Sequence, residues 1–143
     1  MRIALRPAAS GDYEFARDTY YATMRWIIER LFGWNEAEQD TSFASQFRLD
    51  EARLILMDDQ RVGWIQTHHS VSAVTLHQFY VVPALQRRGI GTQVLRMIIQ
   101  EARNQGRPLN VAVVKFNPAK SLYDRHGFRV THEDEHKYYM SLD

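Results

Sequence analysis

The chain has 143 residues, of which 45% are hydrophobic and 24% are charged. These values are average for a globular domain and exclude an intrinsically disordered or collagen-like chain. No apolar run approaches the roughly 20 residues that span a bilayer, so no membrane partner is expected. The sequence has no cysteine and begins without a signal-peptide apolar region, which predicts a cytoplasmic location.

The net charge of +1 is unevenly distributed along the chain. Residues 1–86 carry eight Arg and eleven acids, residues 87–129 carry nine Arg or Lys and two acids, and residues 130–143 carry one Lys and four acids. The central basic segment suits a polyanionic ligand and the acidic segments suit a cationic one, although an unevenly charged solvated surface explains the counts equally well. The whole-chain pI of about 8.1 argues against a nucleic-acid partner.

The first half of the chain predicts two helices and four strands. Ser10 is placed to cap a first helix that Gly33 ends, and Asn35 with Glu38 marks the start of a second. An apolar face runs along the first helix, formed by Met24, Ile27, Ile28 and Leu31. The predicted strands are Arg2 to Leu5, Arg53 to Met57, Val62 to His68 and Ala73 to Val82; a polar turn over residues 58–61 joins the middle two.

The second half begins with the most regular helical pattern of the chain. Its apolar positions are Val94, Leu95, Ile98, Ile99 and Ala102, and Gly106 is placed to end the helix. The nearly continuous apolar run Leu109 to Phe116 predicts a strand buried on both faces. A short helix over Pro118 to Arg125 and two strands, Phe128 to Thr131 and Lys137 to Leu142, complete the chain. This alternation predicts a single α/β domain over residues 1–143, with helices on the faces of a mixed sheet.

A glycine-containing turn joins the strand ending at Pro83 to the most regular helix. It reads Gln86-Arg87-Arg88-Gly89-Ile90-Gly91-Thr92. Glycines let an anion approach unpaired N–H groups at a helix N-terminus, and the two arginines add positive potential. An ordinary strand-to-helix turn is the alternative. The turn lacks the Gly-Lys-Ser/Thr of a P-loop and the third glycine of a dinucleotide fingerprint.

Two segments resemble the acetyl-CoA site of the GNAT superfamily of N-acetyltransferases. They are LHQFYVVPALQRRGIGTQVL and, downstream, NPAKSLYDRHGF. The family signature is Gln or Arg, two residues, Gly, one residue, then Gly or Ala, and Gln86, Gly89 and Gly91 match it. The resemblance implies a mixed, mostly antiparallel sheet of about six or seven strands, flanked by about four helices, in which a splayed strand pair holds the cofactor.

The resemblance also implies which residues bind acetyl-CoA. The pyrophosphate is expected against the main chain of the turn, namely Arg87, Arg88, Gly89, Ile90, Gly91 and Thr92, beside Gln86. The pantetheine is expected along the backbone of Phe79, Tyr80 and Val81. Asn117 resembles the asparagine that contacts the cofactor, with helix capping as its alternative role.

Two residues are candidates for proton transfer. Tyr123 matches the family tyrosine in its context of Leu122, Gly127 and Phe128, and is expected to protonate the departing thiolate. His77 lies in the predicted strand with the same side-chain parity as Phe79 and Val81, near the place where many relatives carry a glutamate base. An imidazole there could take the ammonium proton directly or through water. A packed aromatic and a partly exposed strand histidine are the structural alternatives.

The acceptor pocket of the resembled family is shaped by its first helices and its final strands. Here the candidates for acceptor binding are Trp26, Trp34 and Glu38. Aromatics with acids suit a cationic amine, whereas core packing and solvent exposure are the alternatives. The histidine spacings indicate no metal site.

Two classes of function therefore remain open at this stage. The first is an enzyme that moves an acetyl group from acetyl-CoA to a primary amine of a small molecule or peptide, by direct attack in a ternary complex. The second is a non-catalytic acyl-CoA-binding sensor or docking module. A nucleotide-binding α/β domain is a more distant alternative, and a homodimer is left open.

Overall fold

The computed structural model describes residues 2–143, within which the chain forms seven β-strands and four α-helices. In chain order they are β1 (Ile3–Pro7), α1 (Tyr13–Phe32), α2 (Glu36–Gln46), β2 (Ala52–Met57), β3 (Gln60–His69), β4 (Val74–Val81), α3 (Ile90–Asn104), β5 (Leu109–Val114), α4 (Ala119–Arg125), β6 (Arg129–Glu133) and β7 (Lys137–Leu142). The strands form a mixed, mostly antiparallel open sheet in the order β1-β2-β3-β4-β5-β7-β6. The predicted fold class is confirmed.

The chain divides into two compact units, and the first comprises Met1–Gln66 with Gln78–Gly91. In this unit β2 pairs antiparallel with both β1 and β3. Its core is rich in aromatic residues because Trp64, which is fully buried, packs against Phe43 and Phe47. The indole Nε1 of Trp64 donates a hydrogen bond to the main-chain oxygen of Ala16, 2.9 Å away, which fastens α1 to β3.

The second unit comprises Thr67–His77 with Thr92–Asp143. Here β7 lies antiparallel between β5 and β6, and the first three residues of β4 pair in parallel with β5. The predicted apolar face of α3 is confirmed, since Val94, Leu95 and Ile98 are fully buried. An amphipathic helix of this kind gains its stability from burying that face.

Several helix and strand ends follow from local residue chemistry as predicted. Gly33 ends α1 at a φ of 78°, and the side chain of Asn35 caps α2 by accepting the N–H of Glu38. The turn between β2 and β3 places Asp58 and Asp59 at positive φ, a conformation that suits a tight hairpin and that aspartate tolerates.

Three expectations were wrong in detail. Ser10 opens a short 3₁₀ turn over Ser10–Asp12, and the carboxylate of Asp12 accepts the N–H of Ala9 there. The strand β5 is not buried on both faces, because Ala112 is exposed. The strand predicted to end at Thr131 continues to Glu133, and the ring of His132 in this strand, β6, stacks on Tyr139 at 4.4 Å between centroids.

Among residues 2–143, no helix has both the length and the apolar character needed to cross a bilayer.

Candidate functional site

The end of β4 is held against β3 by an unusually close approach of the two backbones. A Cβ atom built on Gly63 would lie 2.2 Å from the carbonyl oxygen of Tyr80 and 3.0 Å from the Cα of Val81. Only glycine fits at this distance. The N–H of Val82 also donates to the carbonyl of Val62 at 2.8 Å, so the backbone at residues 80–82 has a fixed position.

The side chain of Gln86 links the turn that follows β4 to the end of that strand. Its Nε2 donates a hydrogen bond to the carbonyl oxygen of Val81 at 2.9 Å. Between the two residues, Pro83–Leu85 form one turn of 3₁₀ helix. This bond supplies a structural reason for the glutamine at the first position of the sequence motif.

The turn before α3 has a backbone shape that can hold an anion. Arg87 and Gly89 adopt φ values of 64° and 84°, and a Cβ on Gly89 would meet no atom within 4 Å. Left-handed residues that alternate with ordinary ones direct neighbouring N–H groups into one concavity, which is a common anion-binding arrangement. Among residues 2–143, the N–H groups of Arg87 and Gly89 have no hydrogen-bond partner. These amides and the exposed side chains of Arg87 and Arg88 suit a phosphate group.

The remaining turn residues lead directly into α3. Ile90 is the first residue of the helix and is buried, whereas Gly91 and Thr92 are half-buried. The first N–H groups of a helix have no partner within it and carry its positive dipole end. The predicted anion-binding segment therefore includes the N-terminus of a 15-residue helix.

The side chains near the end of β4 differ in their surroundings. The ring of Tyr80 packs on Tyr20 and Trp64, at centroid distances of 5.3 and 5.5 Å. Its hydroxyl donates to Oε1 of Gln78. Phe79 is half-buried and Val81 is 8% exposed. Because the Tyr80 ring packs against these two rings, Tyr80 would contact the predicted cofactor through its own main chain.

In the second unit, Asn117 caps the short helix α4. Its Oδ1 accepts the N–H of Ala119 at 2.9 Å, which is the capping role weighed above as the alternative. After the helix, Gly127 has a φ of 88°, and the N–H of Phe128 donates to the carbonyl of Tyr123. The Gly-Phe pair of the motif thus reverses the chain and brings Phe128 against Tyr123.

Tyr123 has a buried ring and an unpartnered hydroxyl. The residue is 4% exposed, and its ring packs edge-on against Phe128 at 5.4 Å. Among residues 2–143, the hydroxyl has no hydrogen-bond partner, and no fully enclosed polar side-chain atom lacks one. The phenolic oxygen therefore reaches the accessible surface. Burial raises the pKa of Tyr123 well above its usual range, which keeps the phenol protonated but makes it a weaker acid than an exposed tyrosine.

His77, the candidate base, is exposed on β4. The centroid of its ring lies 6.3 Å from that of His68, a β3 residue of the same unit. The described residues contain no group of three or more His, Cys, Asp or Glu side chains arranged to hold a metal ion.

The three residues predicted to bind the acceptor are not gathered into one pocket. Trp34 contacts Tyr21 edge-on at 5.0 Å, donates from Nε1 to Glu36 at 2.7 Å, and lies under the guanidinium of Arg25. Trp26 is 49% exposed on α1, and Glu38 is an exposed residue in the first turn of α2. Only Trp34 belongs to an aromatic and acidic cluster.

Sequence reasoning missed a cleft beside the first half of α1. The α1 cleft has a volume of about 430 Å³, and its lining includes Glu14, Phe15, Asp18, Arg61, Val82 and Pro83. No local pattern signals it, because its walls are far apart in sequence. By contrast, a lone glycine inside a strand pattern was a usable signal for the close approach at Gly63.

A family model for the acetyltransferase (GNAT) domain matches residues 29–139 of the chain. No curated protein sequence matches it. Solved structures share its fold at low sequence identity. The PaiA N-acetyltransferase of Thermoplasma acidophilum, solved with coenzyme A, has a TM-score of 0.81 and 16% identity over 100% of this chain and 99% of that one.

Two further structures extend this similarity. The ribosomal-protein-S18-alanine N-acetyltransferase of Escherichia coli has a TM-score of 0.72 and 19% identity, covering 99% of this chain and 93% of its own. An acetyltransferase of Thermus thermophilus has a TM-score of 0.76 and 16% identity, covering 99% and 97%. At identities of 16% and 19%, the similarity to these structures shows only that this chain shares their fold.

The fold, the glycine turn and the matching family model define an acetyltransferase domain that uses acetyl-CoA. The chain belongs to the GNAT acetyltransferase family, whose model covers more than half of its length.

Proposed function

We propose that this protein transfers an acetyl group from acetyl-CoA to a primary amine of a small molecule or peptide, by direct attack in a ternary complex. The observation that carries the proposal is the turn before α3, where Arg87 and Gly89 leave two N–H groups unpartnered beside a helix N-terminus. Acetyl-CoA supplies the acetyl group as a thioester. The rest of the chemistry is assigned to residues of this chain.

The residues present fit a diphosphate and a pantetheine. The main chain from Arg87 to Thr92 would bind the pyrophosphate, with Arg87 and Arg88 adding charge-assisted contacts. The backbone of Phe79, Tyr80 and Val81 would run beside the pantetheine. Gly63 and Gln86 hold that backbone in place, which supports a preorganised site. Asn117, whose Oδ1 caps α4, would contact the cofactor next to the start of that helix.

Tyr123 is proposed as the general acid that protonates the departing thiolate. Its raised pKa ensures that the proton is present near neutral pH, and its oxygen is accessible. The same raised pKa makes donation harder, so the role requires that the developing negative charge on sulfur draw the proton in the transition state.

His77 is proposed as the base that removes the proton from the attacking ammonium, directly or through water. Its exposure on β4 supports exchange of that proton with solvent. An amine must be neutral to attack a carbonyl carbon, so some group or water has to perform this step.

The acceptor is proposed to be an amine that carries positive charge in solution. The Trp34 cluster holds the carboxylates of Glu36 and Asp40, the latter bonded to the Tyr21 hydroxyl, beside an indole ring that has one face covered by the guanidinium of Arg25. Aromatic faces and carboxylates both attract ammonium groups. The E. coli structural relative, which by its name acts on an alanine of a ribosomal protein, keeps peptide amines among the candidates.

The test is incubation of the protein with acetyl-CoA and a panel of primary amines, with release of free thiol as the measurement. Thiol release that depends on one class of amine supports the proposal. Calorimetric binding of coenzyme A without turnover on any amine would contradict it and would favour the non-catalytic acyl-CoA-binding module.

A further inference from the structure

The α1 cleft presents two charged groups of opposite sign that the mechanism above does not use. Glu14 stands on the first turn of α1, and among residues 2–143 its carboxylate has no hydrogen-bond partner. Arg61, from the start of β3, lies on the lining as well. Asp18, the other acid of the cleft, is already bonded to Arg17 at 3.2 Å.

The guanidinium of Arg61 is held in a fixed orientation. Its Nη1 donates to Oδ1 of Asp12 at 3.1 Å, and its Cζ lies 4.7 Å from the centroid of the Phe15 ring. Asp12 is 5% exposed and also accepts two hydrogen bonds from Arg6, at 2.8 and 3.1 Å. These donors hold the pKa of Asp12 far below its usual range, so the anchor of Arg61 keeps its charge.

The other N–H groups of Arg61 have no partner among the described residues. A guanidinium with free N–H groups in a planar fork is well suited to a carboxylate, because two parallel hydrogen bonds can form. The carboxylate of Glu14, which accepts no hydrogen bond from residues 2–143 although the charge of Arg17 acts on it, is in turn suited to an ammonium group. The cleft therefore offers one site for each end of an amphoteric molecule.

The size and position of the cleft fit a small acceptor. Its volume of about 430 Å³ lies in the range of small-molecule sites, roughly 300–1,000 Å³. Val82 and Pro83 form part of its wall and directly follow Val81, whose Cα is about 3.8 Å from that of Val82. The cleft thus borders the strand end along which the pantetheine is proposed to lie, and Phe15, Val82 and Pro83 provide apolar surface for a side chain.

We infer that the α1 cleft binds a free α-amino acid, with its ammonium on Glu14 and its carboxylate on Arg61. As an acceptor site, in place of the Trp34 cluster, this inference rests on the proposed function; as a binding site, it stands on the cleft alone. An α-amino acid carries both groups on one carbon, whereas a peptide N-terminus lacks the nearby carboxylate. The reaction would form an N-acetyl bond to the amino nitrogen, break the thioester C–S bond, and pass the ammonium proton to the base and a proton to the thiolate.

The inference is tested by titrating L-leucine into ¹⁵N-labelled protein without coenzyme A and following the amide signals of Gly11, Thr19 and Ala22, which line the cleft. We expect saturable shifts of these signals, and binding about tenfold weaker, or worse, for L-leucinamide and for the dipeptide Leu-Gly, which lack the adjacent carboxylate. We expect Glu14→Gln to weaken L-leucine binding about tenfold.

The matched control is Glu29→Gln on the same helix. The Glu29 carboxylate pairs with Arg25 outside the cleft, so this variant should bind L-leucine as the natural protein does. No shift of the cleft amides with ~10 mM L-leucine, equal binding of L-leucinamide, or equal losses in both variants would overturn the inference. Coenzyme A binding is measured separately by calorimetry. Its failure with L-leucine still bound would contradict the proposed function and leave the amino-acid site, whereas coenzyme A binding and turnover without L-leucine binding would contradict only the site.

Discussion

The turn before α3 and the helix α4 carry candidate site residues of different kinds. The turn relies on main-chain amides, exposed to solvent and aligned by positive φ at Arg87 and Gly89. The helix relies on one side chain, Tyr123, whose ring is buried and whose hydroxyl has no hydrogen-bond partner among residues 2–143. Most side-chain substitutions at the turn should therefore leave cofactor binding unchanged. Loss of the Tyr123 hydroxyl should instead remove the proposed acid and leave cofactor binding unchanged.

The largest expected effect separates chemistry from binding at α4. Tyr123→Phe keeps the ring that packs on Phe128 and removes only the hydroxyl, so we expect kcat to fall about a hundredfold or more. The Kd for coenzyme A should stay within about twofold, because uniform binding is untouched. Tyr139→Phe, which loses a hydroxyl bonded to Asp134 in the same unit, is the control and should keep its kcat. A kcat for Tyr123→Phe within about threefold of the natural protein would rule out the acid role.

The second test concerns the strand that leads into the turn. Gly63→Ala places a Cβ 2.2 Å from the main-chain oxygen of Tyr80, and backbone cannot yield as a flexible side chain can. We expect the free energy of unfolding in urea to fall by about 3 kcal/mol, the upper range for overpacking. Gly11→Ala, where a Cβ meets no atom within 4 Å, should change it by less than about 0.5 kcal/mol. Equal stability of the two variants would show that the close approach is not required.

The third test uses pH and concerns the ion pairs of Asp12 with Arg6 and Arg61. Asp12, bonded to Arg6 and Arg61, has its pKa lowered in the folded state. Its contribution to stability is therefore fully present above the unfolded-state pKa of about 3.9 and is lost as pH falls below that value. We expect Asp12→Asn to cost about 2 kcal/mol at neutral pH, less than a fully buried pair because Arg6 and Arg61 are partly exposed.

The variant should also lose less stability than the natural protein between about pH 5 and pH 2, as measured by urea unfolding across that range. Parallel pH profiles for the two proteins would contradict the assignment of acid sensitivity to Asp12.

The smallest expected effect tests the turn itself. Gly89→Ala adds a methyl group that meets no atom, but a side chain at φ 84° costs about 1–2 kcal/mol. We expect the Kd for coenzyme A to rise about tenfold, since the altered φ misaligns the amides. Gly106→Ala has the same open surroundings and a φ of 66° beyond α3, so it should lose similar stability and keep its affinity. An equal loss of affinity in both variants would indicate a general effect of destabilisation.

The two regions were predictable from sequence because their signals are local. Glycines, the preceding Pro83 and the apolar spacing of α3 predicted the turn. Pro118 and Gly127 predicted the ends of the tyrosine helix, and the resemblance to the GNAT family singled out Tyr123 within it. The Arg6–Asp12–Arg61 network and the α1 cleft were not predictable, since Asp12 and Arg61 are 49 residues apart. The raised pKa of Tyr123 also depends on burial by neighbours that no local pattern reports. Tertiary packing decides such properties.

The claim that the main chain of the turn binds a diphosphate is tested most directly by calorimetry with coenzyme A and with pantetheine, which lacks the diphosphate and the nucleotide. Two charge-assisted hydrogen bonds should together contribute about 3 kcal/mol or more. We therefore predict that coenzyme A binds at least about a hundredfold more tightly than pantetheine. Absence of coenzyme A binding, or equal affinities for the two molecules, would contradict the account.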